Sequence, residues 1–211
     1  MSNYKTVFFI LGVLQIILGL SMIVPIIAQF YYNQVDSGFI GSGLVSIIFG
    51  VLFFLSNLDY EKKLTLPQAF LLTALSWLSI AIFGSLPFVF SDLSLSFTNA
   101  FFESMSGITT TGSTILTNLN ETPKAILLWR AMLQWLGGIG IIVMAITLMP
   151  IMNIGGMQLF VISNTHTPEK ILPKSKEISI RLIFIYSSLT LVCAFFYKIF
   201  GMSFFDSIVH S

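Results

Sequence analysis

From Thr6 to Val35 the chain carries no charged side chain, and Ser37 to Leu58, Leu64 to Ser91 and Ala131 to Pro168 are equally free of charge. An α-helix rises about 1.5 Å per residue and a bilayer's hydrocarbon core is about 30 Å thick, so some 20 apolar residues cross it. The charge-free runs therefore predict spanning helices near 7–29, 38–58, 68–90 and 126–149. A fifth fits near 180–200, where Arg181 and Lys198 lie close enough to an interface for their long side chains to snorkel. Composition agrees: 55% of residues are hydrophobic and 9% charged, against about 25% charged in ordinary soluble domains. The expected fold class is an all-α polytopic membrane protein, and composition argues against a soluble enzyme.

A formal net charge of +1 leaves no basic stripe for a phosphate backbone, so nucleic acid is not an expected partner. The single cysteine, Cys193, lies between Val192 and Ala194 and reads as a buried small hydrophobe. It permits neither an intramolecular disulfide nor a cysteine-rich metal site. His166 and His210 lack companions at metal-ligand spacing, and no nucleophile–base, phosphate-loop or dinucleotide pattern is present. No catalytic residue and no covalently bound cofactor are expected. The first apolar run is too long for the core of a cleavable signal peptide and reads as a retained span.

Between the third and fourth spans lies a segment of different character, FTNAFFESMSGITTTGSTILTNLNETP. Thr98 to Ser106 can make two to three helical turns, with Thr98 as N-cap and Phe101, Phe102 and Met105 on a packing face. Gly107, the β-branched run Ile108 to Thr111, and Gly112 then favour extended or unusual backbone. Such backbone is tolerated at membrane depth where protein buries it or where it lines a watery cavity, so the outline is that of a re-entrant pore loop. In such a strand the carbonyl oxygens of Thr109, Thr110, Thr111 and Gly112 can replace the hydration shell of a cation such as potassium. The threonines would keep the strand extended, and Gly112 would take a backbone angle that larger residues resist. In a soluble protein the same string would be an ordinary turn; the membrane setting favours the ion path. Glu103 either adds negative potential near the mouth or holds the loop by accepting backbone hydrogen bonds. The second reading is preferred, because an acid within the helix has no direct line to the axis.

Trp129 and Trp135 read as packing or interface residues, and Tyr31 and Tyr32 as interfacial anchors. Arg130 is costly inside a span unless paired, and both Glu103 and Glu121 are candidate partners. Gly137, Gly138 and Gly140 permit close helix approach beside the loop. Pro150 and Gly155-Gly156 mark the end of this helix. Lys5, Lys62, Lys63, Lys170, Lys174, Lys176 and Arg181 fall at alternate span ends, whereas the loops 30–37 and 91–122 carry acids without a lysine or arginine. The positive-inside rule then makes the N-terminus cytoplasmic and brings the re-entrant segment in from outside. Near the C-terminus SFFDSIVHS echoes TNAFFESMSG, matching Asp206 to Glu103 and Ser207 to Ser104. The expectation is a chain that stops within a second repeat.

FFESMSGITTTGSTIL and the following LLWRAMLQWLGGIGIIVMAITLMPIMNIGGMQLF closely resemble the Trk potassium-uptake family, in its TrkH/TrkG-like membrane subunits. That resemblance runs from the first span to Ser211. It implies the span, pore-loop, span repeat of the potassium-channel-like superfamily, with four such units around one potassium path, truncated here in the second unit. The implied layout is an N-terminal helix pair at 1–63, one complete unit at 64–162, a cytoplasmic connection at 163–179 and the start of a second unit at 180–211. On the family pattern Thr109, Thr110, Thr111 and Gly112 form the first filter strand, with potassium as substrate; Glu103, Arg130 and Gly107 are the expected supports of the loop on the reading of the residues themselves. The resemblance further implies a bacterial or archaeal plasma membrane, a homodimer at full length and a TrkA-like nucleotide-binding regulatory subunit docked on the cytoplasmic side. One complete unit cannot close a filter made from four, so the fragment is expected to be inactive alone. The competing expectation is a structural or assembly membrane protein without transport activity.

Overall fold

The computed structural model describes residues 4–34, 36–60, 64–119, 121–152 and 171–211. Eight helices appear among them: α1 (Lys5–Ser21), α2 (Ile23–Tyr31), α3 (Gly38–Ser56), α4 (Leu66–Phe90), α5 (Phe97–Ile108), α6 (Lys124–Met152), α7 (Ile171–Ile199) and α8 (Phe204–Val209). No strand occurs among the described residues. Five helical stretches are long and apolar enough to cross a membrane: Lys5–Tyr31, Gly38–Ser56, Leu66–Phe90, Lys124–Met144 and Glu177–Ile199. The chain divides into two compact units, Met1–Gly138 and Ile139–Ser211.

In the first unit the leading span is interrupted at Met22. Pro25 has no N–H and its ring crowds the preceding turn, so the ladder tightens there, with Met22 N–H bonding Gly19 O at 3.3 Å. α1 runs against α3 through two reciprocal glycine pairs. A Cβ on Gly12 would lie 2.7 Å from Gly50 O, and one on Gly50 2.8 Å from Gly12 O; one on Gly19 would lie 2.9 Å from Gly43 O. Each helix thus spaces its glycines seven residues apart, two helical turns, and in antiparallel register they let the backbones approach as bulkier residues would prevent.

α4 opens on a capping box between Thr65 and Gln68, with Thr65 N–H donating to Gln68 Oε1 at 2.9 Å. Its far end is sewn to α3 by Asp36, whose two carboxylate oxygens accept from Gly38 N–H at 2.8 Å and Asp92 N–H at 3.3 Å. Gln34 Oε1 takes the Lys124 N–H at 3.0 Å, so the ends of α2, α4 and α6 meet at one pole. The core beneath them is Leu18, Met22, Phe39, Phe88, Ala100, Ala125, Ile126, Trp129 and Leu133. Trp129 is wholly buried, edge-on to Phe39, and donates its indole N–H to Gly84 O at 2.9 Å.

In the second unit α7 is followed by α8. α7 ends on Gly201 at φ +102, with Met202 N–H reaching back to Tyr197 O at 3.1 Å, a Schellman closure. Ser203 caps α8 by accepting from Asp206 N–H at 3.1 Å. Cys193 is half-buried on α7, not fully buried as its apolar neighbours suggested.

The expected spans agree with the observed helices to within a few residues, but two ends differ. α6 continues through Pro150 to Met152. α7 starts at Ile171, so the second part of the expected connection 163–179 is helical. Lys62, Lys63, Gly155, Gly156, His166 and Lys170 lie outside the described residues.

Candidate functional site

The site is built on α5 and the segment that follows it. The N-cap is Ser96, which accepts the Asn99 N–H at 3.3 Å; Thr98 lies inside the first turn. The buried face of the helix is Ala100, Glu103, Ser104, Ser106, Gly107 and Ile108, whereas Phe102 is exposed and Phe101 and Met105 are half-buried. The expected aromatic packing face is therefore wrong. Space explains the reversal: a Cβ on Gly84 of α4 would stand 2.7 Å from Ser104 Oγ, and one on Gly107 3.1 Å from Leu133 Cβ of α6. Neighbours this close accept a small face and reject phenyl rings. Gly107 accordingly serves close packing inside the helix instead of breaking it. On α6 a Cβ at Gly137 would collide with the Ile108 carbonyl oxygen, so the end of α5 rests directly on that glycine.

The helix closes by a second Schellman arrangement. Thr110 N–H bonds Gly107 O at 2.9 Å and Thr111 N–H bonds Ser106 O at 3.0 Å, with Thr110 at φ +58. The expectation that all three threonines keep a strand extended is thereby corrected: Thr109 and Thr110 belong to the turn that satisfies the last helical carbonyls. A positive φ is uncommon for any residue with a Cβ and is strained for a β-branched one. Gly112, at φ +76, takes an angle that favours glycine.

Beyond the turn the chain is held from the side by α5. Glu103 is fully buried; its Oε2 accepts from Arg130 Nε at 2.7 Å, and its Oε1 accepts from Thr114 Oγ1 at 2.7 Å and from Ile115 N–H at 2.5 Å. Of the two acids open to Arg130, the structure selects Glu103. Ser106 donates its hydroxyl to Ser113 O at 2.7 Å. Thr109 Oγ1 lies 2.7 Å from Met105 O and 3.0 Å from Thr111 Oγ1. Gln134 Nε2 is 3.6 Å from where a Cβ on Gly112 would sit.

Thr109, Thr110, Thr111 and Gly112 are exposed in this chain. Among the described residues, none donates a hydrogen bond to their four carbonyl oxygens. On exposed residues such carbonyls remain open to water or to an ion. The C-terminal end of α5, the negative pole of its dipole, abuts them. No group of three or more His, Cys, Asp or Glu that could hold a metal exists among the described residues. Asp206, matched in sequence to Glu103, instead accepts the Ser203 hydroxyl at 2.6 Å within its own helix cap. Sequence reasoning overlooked Ser106, Ser113 and Thr114. Glu103, Ser106 and Gly107 fall at i, i+3 and i+4, a polar and small stripe that was visible but was not read as the contact face.

Residues 5–209 match a family model described as TrkH, cation transport protein. The chain is 37% identical over 213 aligned residues to the Trk system potassium uptake protein TrkH of Vibrio parahaemolyticus, covering 99% of this chain and 44% of that protein. It is 38% identical to the Trk system potassium uptake protein TrkI of Halomonas elongata, over 96% of this chain and 41% of the relative. With the Trk system potassium uptake protein TrkG of Escherichia coli the identity is 31%, over 99% and 44%. Among solved structures, the crystal structure of the potassium transporter TrkH from Vibrio parahaemolyticus superposes with a TM-score of 0.87 at 34% identity, over 99% of this chain and 42% of that one. The chain thus spans less than half the length of the relatives it matches.

Proposed function

The chain belongs to the TrkH family of cation transport proteins, whose members are multi-pass membrane proteins and not enzymes, and from that premise we propose that it is the N-terminal part of a potassium-uptake transporter of a bacterial inner membrane. In this reading α4, the segment from α5 to Thr122, and α6 form one span, pore-loop, span unit. α1 to α3 are the added N-terminal helices, and α7 with α8 opens a second unit. The loop contributes one of four filter strands, with the carbonyls of Thr109, Thr110, Thr111 and Gly112 as potassium ligands. Glu103, held by Arg130, fixes the returning strand, and Gly107 lets α5 sit against α6. Seven basic residues at alternate span ends support an N-terminus in the cytoplasm. The same side would receive a TrkA-like regulatory subunit, and the complete transporter would pair as a homodimer.

The observation that carries this reading is the run of four carbonyls, on exposed residues, without hydrogen-bond partners among the described residues, beside a buried carboxylate that grips the strand immediately after them. An ordinary turn would satisfy those oxygens or leave them to water, without an ion pair behind it whose carboxylate is fully buried.

The test is potassium-dependent growth and rubidium uptake in a host lacking its own potassium uptake, expressing the transporter that contains this segment. Gly112→Val places a β-branched side chain at φ +76 and should abolish uptake while the protein still inserts in normal amount. Unchanged uptake by that variant refutes the filter assignment. A strand that is one of four needs the others, so the 211 residues alone should not restore growth.

A further inference from the structure

Ser106 belongs to none of the roles assigned above, yet it touches the chain on both sides of Gly112. It is 6% exposed. Its backbone oxygen accepts the Thr111 N–H at 3.0 Å, and its hydroxyl donates to the Ser113 carbonyl at 2.7 Å. One residue therefore fixes the Thr110–Thr111 peptide on one side of the glycine and the Ser113–Thr114 peptide on the other. The chemistry of the two bonds differs. The first bond uses an N–H, which no cation needs, and leaves the Thr111 carbonyl without a partner. The second consumes a carbonyl oxygen. Of the five successive carbonyls from Thr109 to Ser113, four lack a hydrogen-bond donor among the described residues, and Ser113 alone has one.

We propose that Ser106 is a specificity-determining positioning residue: its hydroxyl removes the Ser113 carbonyl from the set of ion ligands, so that the ladder ends at Gly112 with a fixed ring position. This rests on the filter reading above. Ion discrimination by carbonyls depends on how many oxygens are presented and on how freely they move. Released from Ser106, the Ser113 carbonyl would turn about its own backbone bonds, with Gly112 adding little stiffness on one side, and present a fifth, mobile oxygen. A mobile oxygen closes on the smaller sodium ion more readily than a fixed one.

The experiment uses the full transporter carrying Ser106→Ala or Ser106→Thr, with membrane-inserted protein quantified, and measures uptake of potassium, rubidium and sodium. Alanine removes the hydroxyl without adding volume, whereas threonine restores it. The alanine variant should lower the potassium-to-sodium uptake ratio roughly fivefold, the factor equivalent to about 1 kcal/mol for one neutral hydrogen bond, and threonine should recover at least half of that loss on a logarithmic scale. An unchanged ratio in the alanine variant, an equal fall for all three ions, or a ratio that threonine leaves as low as alanine does overturns the proposal. The filter reading fails separately: that failure is normal uptake in Gly112→Val. Loss of uptake there with an unaltered ratio in Ser106→Ala condemns the Ser106 role alone.

Discussion

Replacing Glu103 by glutamine separates the charge of this residue from its shape. The carboxylate is 0% exposed and uses Oε2 for Arg130 and Oε1 for Thr114 and Ile115. Glutamine keeps one carbonyl oxygen, sufficient for the Thr114 and Ile115 pair, but sets an NH2 group against the guanidinium, donor facing donor. Arg130 is only 16% exposed, so little water is at hand to replace the lost anion. Breaking a buried pair from one side costs about 3 to 5 kcal/mol, which corresponds to a fall of about 6 to 20 °C in melting midpoint for a chain of this size. Arg130→Met should cost a similar amount, because it strands the carboxylate. The double variant removes both charges and should be more stable than the summed single losses predict by about 2 kcal/mol, within the span found for residues in contact. Thermal unfolding of the four proteins in detergent micelles reads the cycle. A coupling below about 0.5 kcal/mol, the level of independent sites, would refute the reasoning, because the pair would then not act as one unit.

The glycine pairs between α1 and α3 make a contrast within one unit. Gly12→Ala drives a Cβ to 2.6 Å from Phe54 N and 2.7 Å from Gly50 O and should cost about 1 to 3 kcal/mol as overpacking, whereas Gly41→Ala, with nothing within 4 Å, should gain up to about 1 kcal/mol of helix propensity; equal melting points for the two variants would contradict the close approach. Thr110→Gly relieves a left-handed conformation worth about 1 to 2 kcal/mol at about 0.5 to 1 kcal/mol of chain entropy. A net stabilisation of about 0.5 to 1 kcal/mol is expected, and a lower melting midpoint would count against strain at this residue.

The spans were legible because a charge inside hydrocarbon is costly, so the gaps between charges delimit where a helix can run. Lys5 and Asp36 bracket α1 and α2, and Asp36 and Asp59 bracket α3. A gap says nothing about which face of a helix meets its neighbour. The facing of α5 was misread for that reason: Phe101, Phe102 and Met105 have the right spacing for a core stripe in water, where apolar surface seeks burial. In a chain whose surroundings are apolar that drive is weak, and van der Waals fit and polar contacts decide instead. Glu103, Ser106 and Gly107 therefore turn inward. The register of Gly12 on Gly50 and Gly19 on Gly43 was equally hidden, since pairing needs the partner helix and the direction in which it runs. The backbone angle of Gly112 agrees with the expectation, because a positive φ is a local demand that the residue type itself announces.

Two helices of this chain finish with the same hydrogen-bond pattern but different residues at the left-handed position, Gly201 after α7 and Thr110 after α5. The first shows that the chain ends a helix without strain where nothing else is asked of it. Thr110 is thus not an accident of the motif, and its cost of about 1 to 2 kcal/mol has to be offset by surrounding contacts. The burial of the Glu103–Arg130 pair adds a second cost, since an apolar pair of similar volume is often as stable or more so. Thr110 is one of the four residues with unpartnered carbonyls, the Glu103–Arg130 pair holds Thr114 and Ile115 just beyond them, and the packing of Trp129, Leu133 and Gly137 against α4 and α5 supplies the offset. Asn33, Ser94 and Asn118 also take positive φ, but among the described residues Thr110 is the β-branched one, and strain at such a residue that its neighbours over-determine motivates the filter proposal. A glycine at 110 would remove the strain and also free the backbone between Thr109 and Gly112 to rotate, so the threonine limits the directions in which those carbonyls can point.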